Sequence, residues 1–569
     1  MTYIGFWIGC CAGLMGLAPS GGPYPSLPVV YQTRPAGAQR GTATVITVEG
    51  INLQQTSQLL FSEPDVSARI LEVRDSPGTK PPATPHQSVR IELKVGAAAE
   101  IGIHGFRLVT PFGTSNWVPF ALGPFSEMTS DHGNDSLGKA APLRLPVTVN
   151  GVLLQPGAAD YYAFEVGAGD EMVFELEASE LGSKLDSVLG LLDPRGESMA
   201  GNDNFFASRT DSLLGYKFAK GGKYVVSVSD AAGRGGEDYH YRLTAGRFPY
   251  VTEVFPLGIT RGTVGRARIR GYNLGGTEEV EVDGRGSRRE GEFLALKIRT
   301  AGGEALRPAR LELGNYPAVR EREPNNTVEQ AQPLELPVTV DGSVGDESDR
   351  DLYRFRARPG ELIALEVTAR RLGSLLDSFI EVLDASGKPV PQAVLQAATE
   401  NLVQDPLDSR TLDLSRLDSF TKPEFFPGDF VLLEGTELVR LQEALRQTDD
   451  LSVAQGYLGQ RLAWLGTTAQ HHPALARIHK VRVLPPDTRA VSVELPLFRL
   501  DYQNDDGGPT YGKDSYLLFT APRAGDYLVR LRDLQNRGGN RFSYRLTLRR
   551  AAPAFELFLD DAFSQYRDG

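Results

Sequence analysis

The chain repeats itself, and the second copy is interrupted. Asn134-Asp135-Ser136 is matched 191 positions later by Asn325-Asn326-Thr327. The same offset of 191 carries Leu145-Pro146-Val147-Thr148-Val149 onto Leu336-Pro337-Val338-Thr339-Val340, and Asp160-Tyr161-Tyr162-Ala163-Phe164 onto Asp351-Leu352-Tyr353-Arg354-Phe355. It persists through Leu181-Gly182-Ser183-Lys184-Leu185-Asp186-Ser187, matched by Leu372-Gly373-Ser374-Leu375-Leu376-Asp377-Ser378. Similarity then resumes at an offset of 303, where Gly222-Lys223-Tyr224-Val225-Val226-Ser227-Val228-Ser229-Asp230 matches Gly525-Asp526-Tyr527-Leu528-Val529-Arg530-Leu531-Arg532-Asp533. Tyr241-Arg242-Leu243-Thr244 likewise matches Tyr544-Arg545-Leu546-Thr547. Whatever unit this is, it occurs twice, and the second copy carries about 112 extra residues over 390–502. A turn between two strands tolerates such an insertion, because the ends of the loop already lie together. The insert holds strand-like stretches (Asp429–Leu433, Lys480–Val483) and one helix-like stretch, Glu437 to Leu445. It reads as a small α+β subdomain, with helix concentrated in 430–470.

A shorter pair has an offset of 221. Arg40-Gly41-Thr42 matches Arg261-Gly262-Thr263, Gly50-Ile51-Asn52-Leu53 matches Gly271-Tyr272-Asn273-Leu274, and Pro35 falls on Pro256. Between these anchors apolar and polar residues alternate (Thr44-Val45-Ile46-Thr47-Val48), the period of a half-buried strand. The Gly-x-Asn-Leu step reads as a turn, since Gly and Asn adopt left-handed backbone angles that a continuing strand cannot use. With 61 Gly and 37 Pro among 569 residues, the chain suits many short strands joined by turns. The expected fold class is all-β: tandem β-sandwiches over 24–124, 125–247, 248–320 and 321–550, the last with the nested α+β insert 390–502. Residues 551–569 read as a tail or the start of a further module.

Residues 1–20 read as a signal peptide. Tyr3 to Leu17 is an uncharged apolar run of 15 residues, followed by Ala18-Pro19-Ser20. A membrane span needs about 20 apolar residues, and no other stretch is long enough, so no span is expected in the mature chain. No Lys or Arg precedes the run, and lipidation at Cys10 is the alternative to cleavage. The only cysteines are Cys10 and Cys11. A chain without its leader then has no thiol for disulfides, Cys-ligated zinc or a cysteine nucleophile. The formal charge of −12 argues against a nucleic-acid partner, which calls for a surplus of Lys and Arg.

The richest cluster of donors opens the second copy of the long repeat: Glu321-Arg322-Glu323-Pro324-Asn325-Asn326. Calcium takes six to eight oxygen ligands, and two carboxylates and two amide oxygens come from this one segment. Pro324 holds it extended, so that Glu321 and Glu323 point the same way. A second acidic run, Asp346-Glu347-Ser348-Asp349-Arg350-Asp351, lies beside it if the strands pair. The first copy opens on Ser130-Asp131-His132-Gly133-Asn134-Asp135, with neither glutamate, and Ala158 stands opposite Asp349. Asn504-Asp505-Asp506 matches Asn202-Asp203-Asn204 and reads first as an Asx-capped turn, second as a cation or ligand site. His471, His472 and His479 read as a solvated loop rather than a zinc site. H-E-x-x-H, G-x-S-x-G and the P-loop are absent, so neither catalytic nor cofactor-binding residues are expected.

The 221-offset pair, with its R-G-T strand and G-x-N-L turn, resembles the IPT/TIG family of immunoglobulin-like sandwiches. The long repeat resembles the bacterial pre-peptidase C-terminal (PPC) domain. It shares the E-x-E-P-N-N opening, the D-x-Y-x-F strand, the L-D-S step, the D-x-x-G and N-D-D turns and the closing Y-R-L hairpin. That resemblance implies a jelly-roll-like sandwich. Collagen-binding domains of bacterial collagenases, relatives of that fold, bind calcium through such an opening. The resemblance therefore gives ligand roles to Glu321, Glu323, Asn325, Asn326, Asp349 and Asp351. The implied function is a non-catalytic, exported modular protein, periplasmic, secreted or at the bacterial surface, that binds a surface glycan or protein or acts as a spacer. The competing expectation is the accessory region of a secreted hydrolase whose catalytic domain lies elsewhere. A third, an enzyme built on the insert, rests on no motif.

Overall fold

The computed structural model describes residues 27–551, except 77–85, 208, 286–292, 404–406, 409–410, 414–425, 427, 435–436, 446–455, 465–470, 489–493 and 508–510. The leader 1–20 with Cys10 and Cys11, and the tail from 552 onward, lie outside the described residues. The chain is nearly all β, built as tandem sandwiches. Among the described residues, helix is limited to three 3₁₀ turns: Leu137–Lys139, Ser179–Leu181 and Arg370–Leu372.

The long repeat folds twice in the same way. In the first copy, one sheet runs Glu127–Thr129, Val147–Val152, His240–Gly246, Glu171–Glu177, Leu213–Lys217. Its partner sheet runs Ala141–Pro142, Ala159–Val166, Gly222–Asp230, Ser187–Leu192, Ser198–Asn202. The second copy keeps both orders: Ala318–Arg320, Val338–Ser343, Ser543–Arg550, Leu362–Thr368, Tyr516–Thr520, and Gln332–Pro333, Asp351–Ala357, Gly525–Asp533, Ser378–Asp384, Gln503–Asn504. Alternating residues of these strands close matching cores, Tyr162, Phe164, Phe174 and Leu243 in the first and Tyr353, Phe355, Leu365 and Leu546 in the second. Burial of such side chains stabilises by about 1.5–3 kcal/mol each.

Ahead of the first copy, the sheet Val29–Arg34, Ala43–Ile51, His86–Val95, Val66–Ser76 packs on a second sheet around Ile46, Ile91, Phe106 and Phe120. Between the copies lie two three-stranded sheets, one centred on Val264–Tyr272 and the other on Ala309–Gly314. Asn52 and Asn273, the matched turn residues, both take positive φ, 56° and 54°, as the Gly-x-Asn-Leu reading requires.

The insert differs from expectation. Glu437–Leu445, expected as a helix, is a strand near the middle of a seven-stranded sheet. It pairs with Phe430–Leu433 on one side and Gly456–Trp464 on the other. Leu438 packs with Leu395 and Leu432 on one face, while Val439 and Leu441 pack with Val431 and Ile478 on the other. Two partner strands and two apolar faces outweigh the helix propensity of Glu, Leu, Arg, Gln and Ala, which is worth tenths of a kcal/mol per residue. The insert is therefore β, not α+β, in its described residues.

Its two ends meet on the parent sandwich, where the Tyr502 N–H donates to the Val390 carbonyl at 3.0 Å. Replacing 391–501 by a short glycine turn should leave the sandwich folded, with a single cooperative transition by circular dichroism and calorimetry. Loss of that transition would make the insert part of the core.

Arginines fix the junctions. Arg242, 1% exposed, makes a bidentate pair with Glu127 (3.0 and 2.9 Å) and reaches Asn150 Oδ1 at 3.2 Å. Its guanidinium lies over Gly37 of the preceding module, where any Cβ would collide with it. Arg545, 0% exposed, sits 2.9 Å from Asp341 Oδ1 and donates to the Glu312 carbonyl at 3.0 Å, over Gly258 in the same manner. At the middle junction Arg307 pairs with Glu175 at 3.0 Å and with Glu177, beside an apolar cluster of Val173, Leu213, Phe248, Tyr250 and Leu306.

Candidate metal centre

The opening segment of the second copy is positioned by both of its sheets. Strand Ala318–Arg320 runs parallel to Val338–Ser343, and the Glu321 N–H donates to the Asp341 carbonyl at 3.0 Å. Glu321 Oε2 then accepts the Ser343 N–H at 2.9 Å. On the other sheet, Asp351 begins strand Asp351–Ala357, and the Leu352 N–H donates to the Asn325 carbonyl at 3.1 Å. The two acidic segments thus lie side by side.

One carboxylate oxygen each from Glu321, Glu323 and Asp351 lies within 4.8 Å of the other two. Beneath them the hydroxyls of Tyr353 and Tyr544 stand 2.5 Å apart. Glu321 Oε1 lies 2.7 Å from the Tyr353 hydroxyl, 2.9 Å from the Tyr544 hydroxyl and 3.1 Å from Asn325 Nδ2, while Asp351 Oδ2 lies 2.6 Å from the Tyr544 hydroxyl. Each tyrosine brings one proton. Two protons cannot serve four short oxygen–oxygen contacts, so with both acids ionised the cluster is short of positive charge.

The same deficit shows in the unpaired atoms. Asn325 Oδ1, Asp349 Oδ1 and Asp351 Oδ1 are buried and have no hydrogen-bond partner. Buried acceptors are nearly always satisfied, and leaving one bare costs about 1–3 kcal/mol, more if charged. Burial, then the charges of Glu321 and Asp349, hold the Asp351 carboxyl well above the usual range. Burial, then Asp349 and Glu321, raise Glu323. Burial raises Asp349, with the Glu321 charge adding to it against the Gly345 N–H that it accepts at 2.6 Å. The donors are all oxygens, of the kinds that suit a hard divalent cation such as calcium and not zinc or copper.

Of the six expected ligands, the carboxylates of Glu321, Glu323 and Asp351 converge, Asn325 hydrogen-bonds Glu321, and Asp349 accepts the Gly345 N–H. The sixth, Asn326, is exposed, and its Oδ1 accepts the Arg350 N–H at 2.8 Å as a turn cap. Asp346 caps Ser348 at 2.7 Å and is exposed. Tyr353 and Tyr544 stand outside the six residues expected from the sequence. The signal for more was present, since a buried tyrosine hydroxyl needs a partner and the matched Tyr162 and Tyr241 stand in the other copy. There the hydroxyls of Tyr162 and Tyr241 are 2.6 Å apart and Tyr241 donates to Asp160, while Ser130 Oγ donates to Asn134 Oδ1 at 3.0 Å. None of Ser130, Asn134 and Asp160 has a buried polar atom without a partner. The scaffold is shared; the electron-rich cluster belongs to the second copy.

His479 Nε2 lies 3.0 Å from Glu400 Oε2. His471 and His472 fall on the short strand His471–His472. Among the described residues, no helix is long and apolar enough to cross a membrane.

No family model matches the chain, and no curated protein matches it. Among solved structures it is similar to the pre-peptidase C-terminal domain of a collagenase from Bacillus anthracis, at 19% identity over 19% of this chain and 93% of that one, with a TM-score of 0.16. It is also similar to the secreted serine protease VesC from Vibrio cholerae, at 11% identity over 39% of this chain and 50% of that one, TM-score 0.14. A third is SGBP-B of a Bacteroides ovatus mixed-linkage glucan utilization locus, in complex with a heptasaccharide, at 7% identity over 38% and 74%, TM-score 0.14. Likenesses of this size place no constraint on what the chain does.

Proposed function

We propose that this chain is a non-catalytic, exported spacer and binding protein of the bacterial exterior, with calcium fixing the opening of its fourth module. In this reading the first and third modules are of the IPT/TIG type and the second and fourth of the PPC type. The partner at the cell exterior is a surface glycan or protein. The observation that carries the reading is where the buried charge is spent. Arg242, Arg307 and Arg545 are all committed to junctions between modules, and the acidic cluster lies just past the junction that Arg545 fills. A chain that buries cations at its joints pays for holding modules in fixed relation.

The test is a distance measurement. Nitroxide labels at the exposed positions Ser67→Cys and Arg356→Cys, with Cys10 and Cys11 changed to Ser, should give a single narrow distance distribution by pulsed electron resonance in calcium. A broad distribution would remove the spacer reading. Turnover of casein or of chromogenic esters and glycosides by the purified chain would remove the non-catalytic one.

A further inference from the structure

We propose a second divalent-cation site in the fourth module, at Asp505 with Asp377, taking calcium and independent of the Glu321 cluster. Strand Gln503–Asn504 pairs antiparallel with Ser378–Asp384 through Ile380↔Asn504. Asp505 therefore leaves one strand beside the point where Asp377 leads into the other. The backbone here is held firmly. The Tyr516 N–H donates to Asn504 Oδ1 at 2.9 Å, Asn504 Nδ2 donates to the Asp506 carbonyl at 3.0 Å, and the Ser515 hydroxyl lies 2.7 Å from the Ser378 carbonyl.

Asp505 is 0% exposed, and neither of its carboxylate oxygens has a hydrogen-bond partner. Asp377, 5% exposed, leaves Oδ1 without one as well. The neighbouring cations are already committed. Lys513 Nζ lies 2.8 Å from Asp506 Oδ2, and Arg370 Nη2 lies 3.8 Å from Asp377 Oδ2. The other acids nearby have their own partners, Asp514 with Arg371 at 2.8 Å and Asp533 with Arg537 at 3.3 Å. Of these acids, Asp505 alone leaves both carboxylate oxygens without a hydrogen-bond partner, and the nearest cation, Lys513, is paired with Asp506.

A buried carboxylate in that condition costs several kcal/mol and is relieved in one of two ways, by a proton or by a metal ion. Burial, then the Asp506 charge, push its carboxyl up to about 7, with Lys513 opposing and Asp377 adding. Bare carboxylate and amide-lined turn oxygens on a rigid backbone are calcium's donors. The first copy does not share the arrangement, because its matching Asp203 is exposed.

The experiment counts ions on the full chain by equilibrium dialysis against calcium, with native mass spectrometry as a check. Wild type should hold two ions, Glu323→Ala one and Asp505→Asn one, and the double variant none. Asp377→Asn should weaken the Asp505 ion at least tenfold, which keeps the test sound if Asp505→Asn folds poorly by circular dichroism. A wild-type count of one that Glu323→Ala abolishes overturns this proposal and leaves the Glu321 site standing; Asp505 then carries a proton. A count of one lost in Asp505→Asn but kept in Glu323→Ala supports this site and removes the other. An unchanged count in both Asp505→Asn and Asp377→Asn overturns it outright.

Discussion

Chelating calcium should lower the melting temperature of the fourth module by about 5–10 °C and leave the second module where it was. An ion that binds only the folded state at 100 times its dissociation constant adds about 2.7 kcal/mol. For a module of this size each kcal/mol moves the midpoint by roughly 2–4 °C. Glu323→Ala should shrink the difference between calcium and chelator, and the double variant Glu323→Ala with Asp505→Asn should erase it. The pH dependence has a definite sign. Asp351, Asp349 and Glu323 have carboxyls raised by burial and by one another's charge. In the ion-free fold they hold protons that the unfolded chain, with carboxyls near about 4, has released. Their contribution is complete below that value and is lost as pH rises through the raised ones. The chelated protein should therefore melt higher at pH 5 than at pH 7.5. Calcium, which competes with those protons, should stabilise more as pH rises. Calorimetry at both pH values, with and without chelator, checks this; identical traces would make the motif a plain linker.

The second large effect is expected at the last junction. Arg545→Ala removes a fully buried cation and leaves the Asp341 carboxylate, 3% exposed, without its partner. Breaking a buried pair on one side costs about 3–5 kcal/mol. Burial raises the Asp341 carboxyl to about 6 even with Arg545 drawing it down. Asp341 therefore opposes folding progressively as pH climbs from the ordinary carboxyl range through 6, and the arginine matters most above that. Guanidinium denaturation should show a loss at pH 8 that shrinks at pH 5, and Asp341→Asn in the Arg545→Ala background should recover part of it. A variant that unfolds with wild type at pH 8 would mean the pair contributes nothing.

Strand content, the two folded copies and the position of the insert were legible because a repeat offset records which segments share a structure. The offset change from 191 to 303 located the insert at a turn, and the Val390–Tyr502 contact shows why that turn could open. The helix expected over Glu437–Leu445 was illegible for a physical reason. Its residues favour helix weakly, and the partners that make it a strand come from far along the chain. The converging carboxylates of Glu321, Glu323 and Asp351 were legible as oxygen donors in two short acidic runs. What those runs could not show is which oxygens are already spent: Asn326 on a backbone N–H, Glu321 on two tyrosines. The burial of Asp505 without a hydrogen-bond donor is likewise a property of packing, invisible beside the nearly identical turn Asn202-Asp203-Asn204.

The two outer arginine joints are built alike. Gly37 and Gly258 stand 221 positions apart, Asn150 and Asp341 stand 191 apart, and Arg242 and Arg545 stand 303 apart, each at its own module's offset. Both faces of the two joints are therefore built from corresponding positions, a glycine of one module against an arginine of the next. The counter-ion differs between them. Glu127 serves the first arginine beside a neutral Asn150, while Asp341 serves the second. A guanidinium sealed between two modules needs a neutralising carboxylate, and the two joints show that this carboxylate can stand at either of two positions around it.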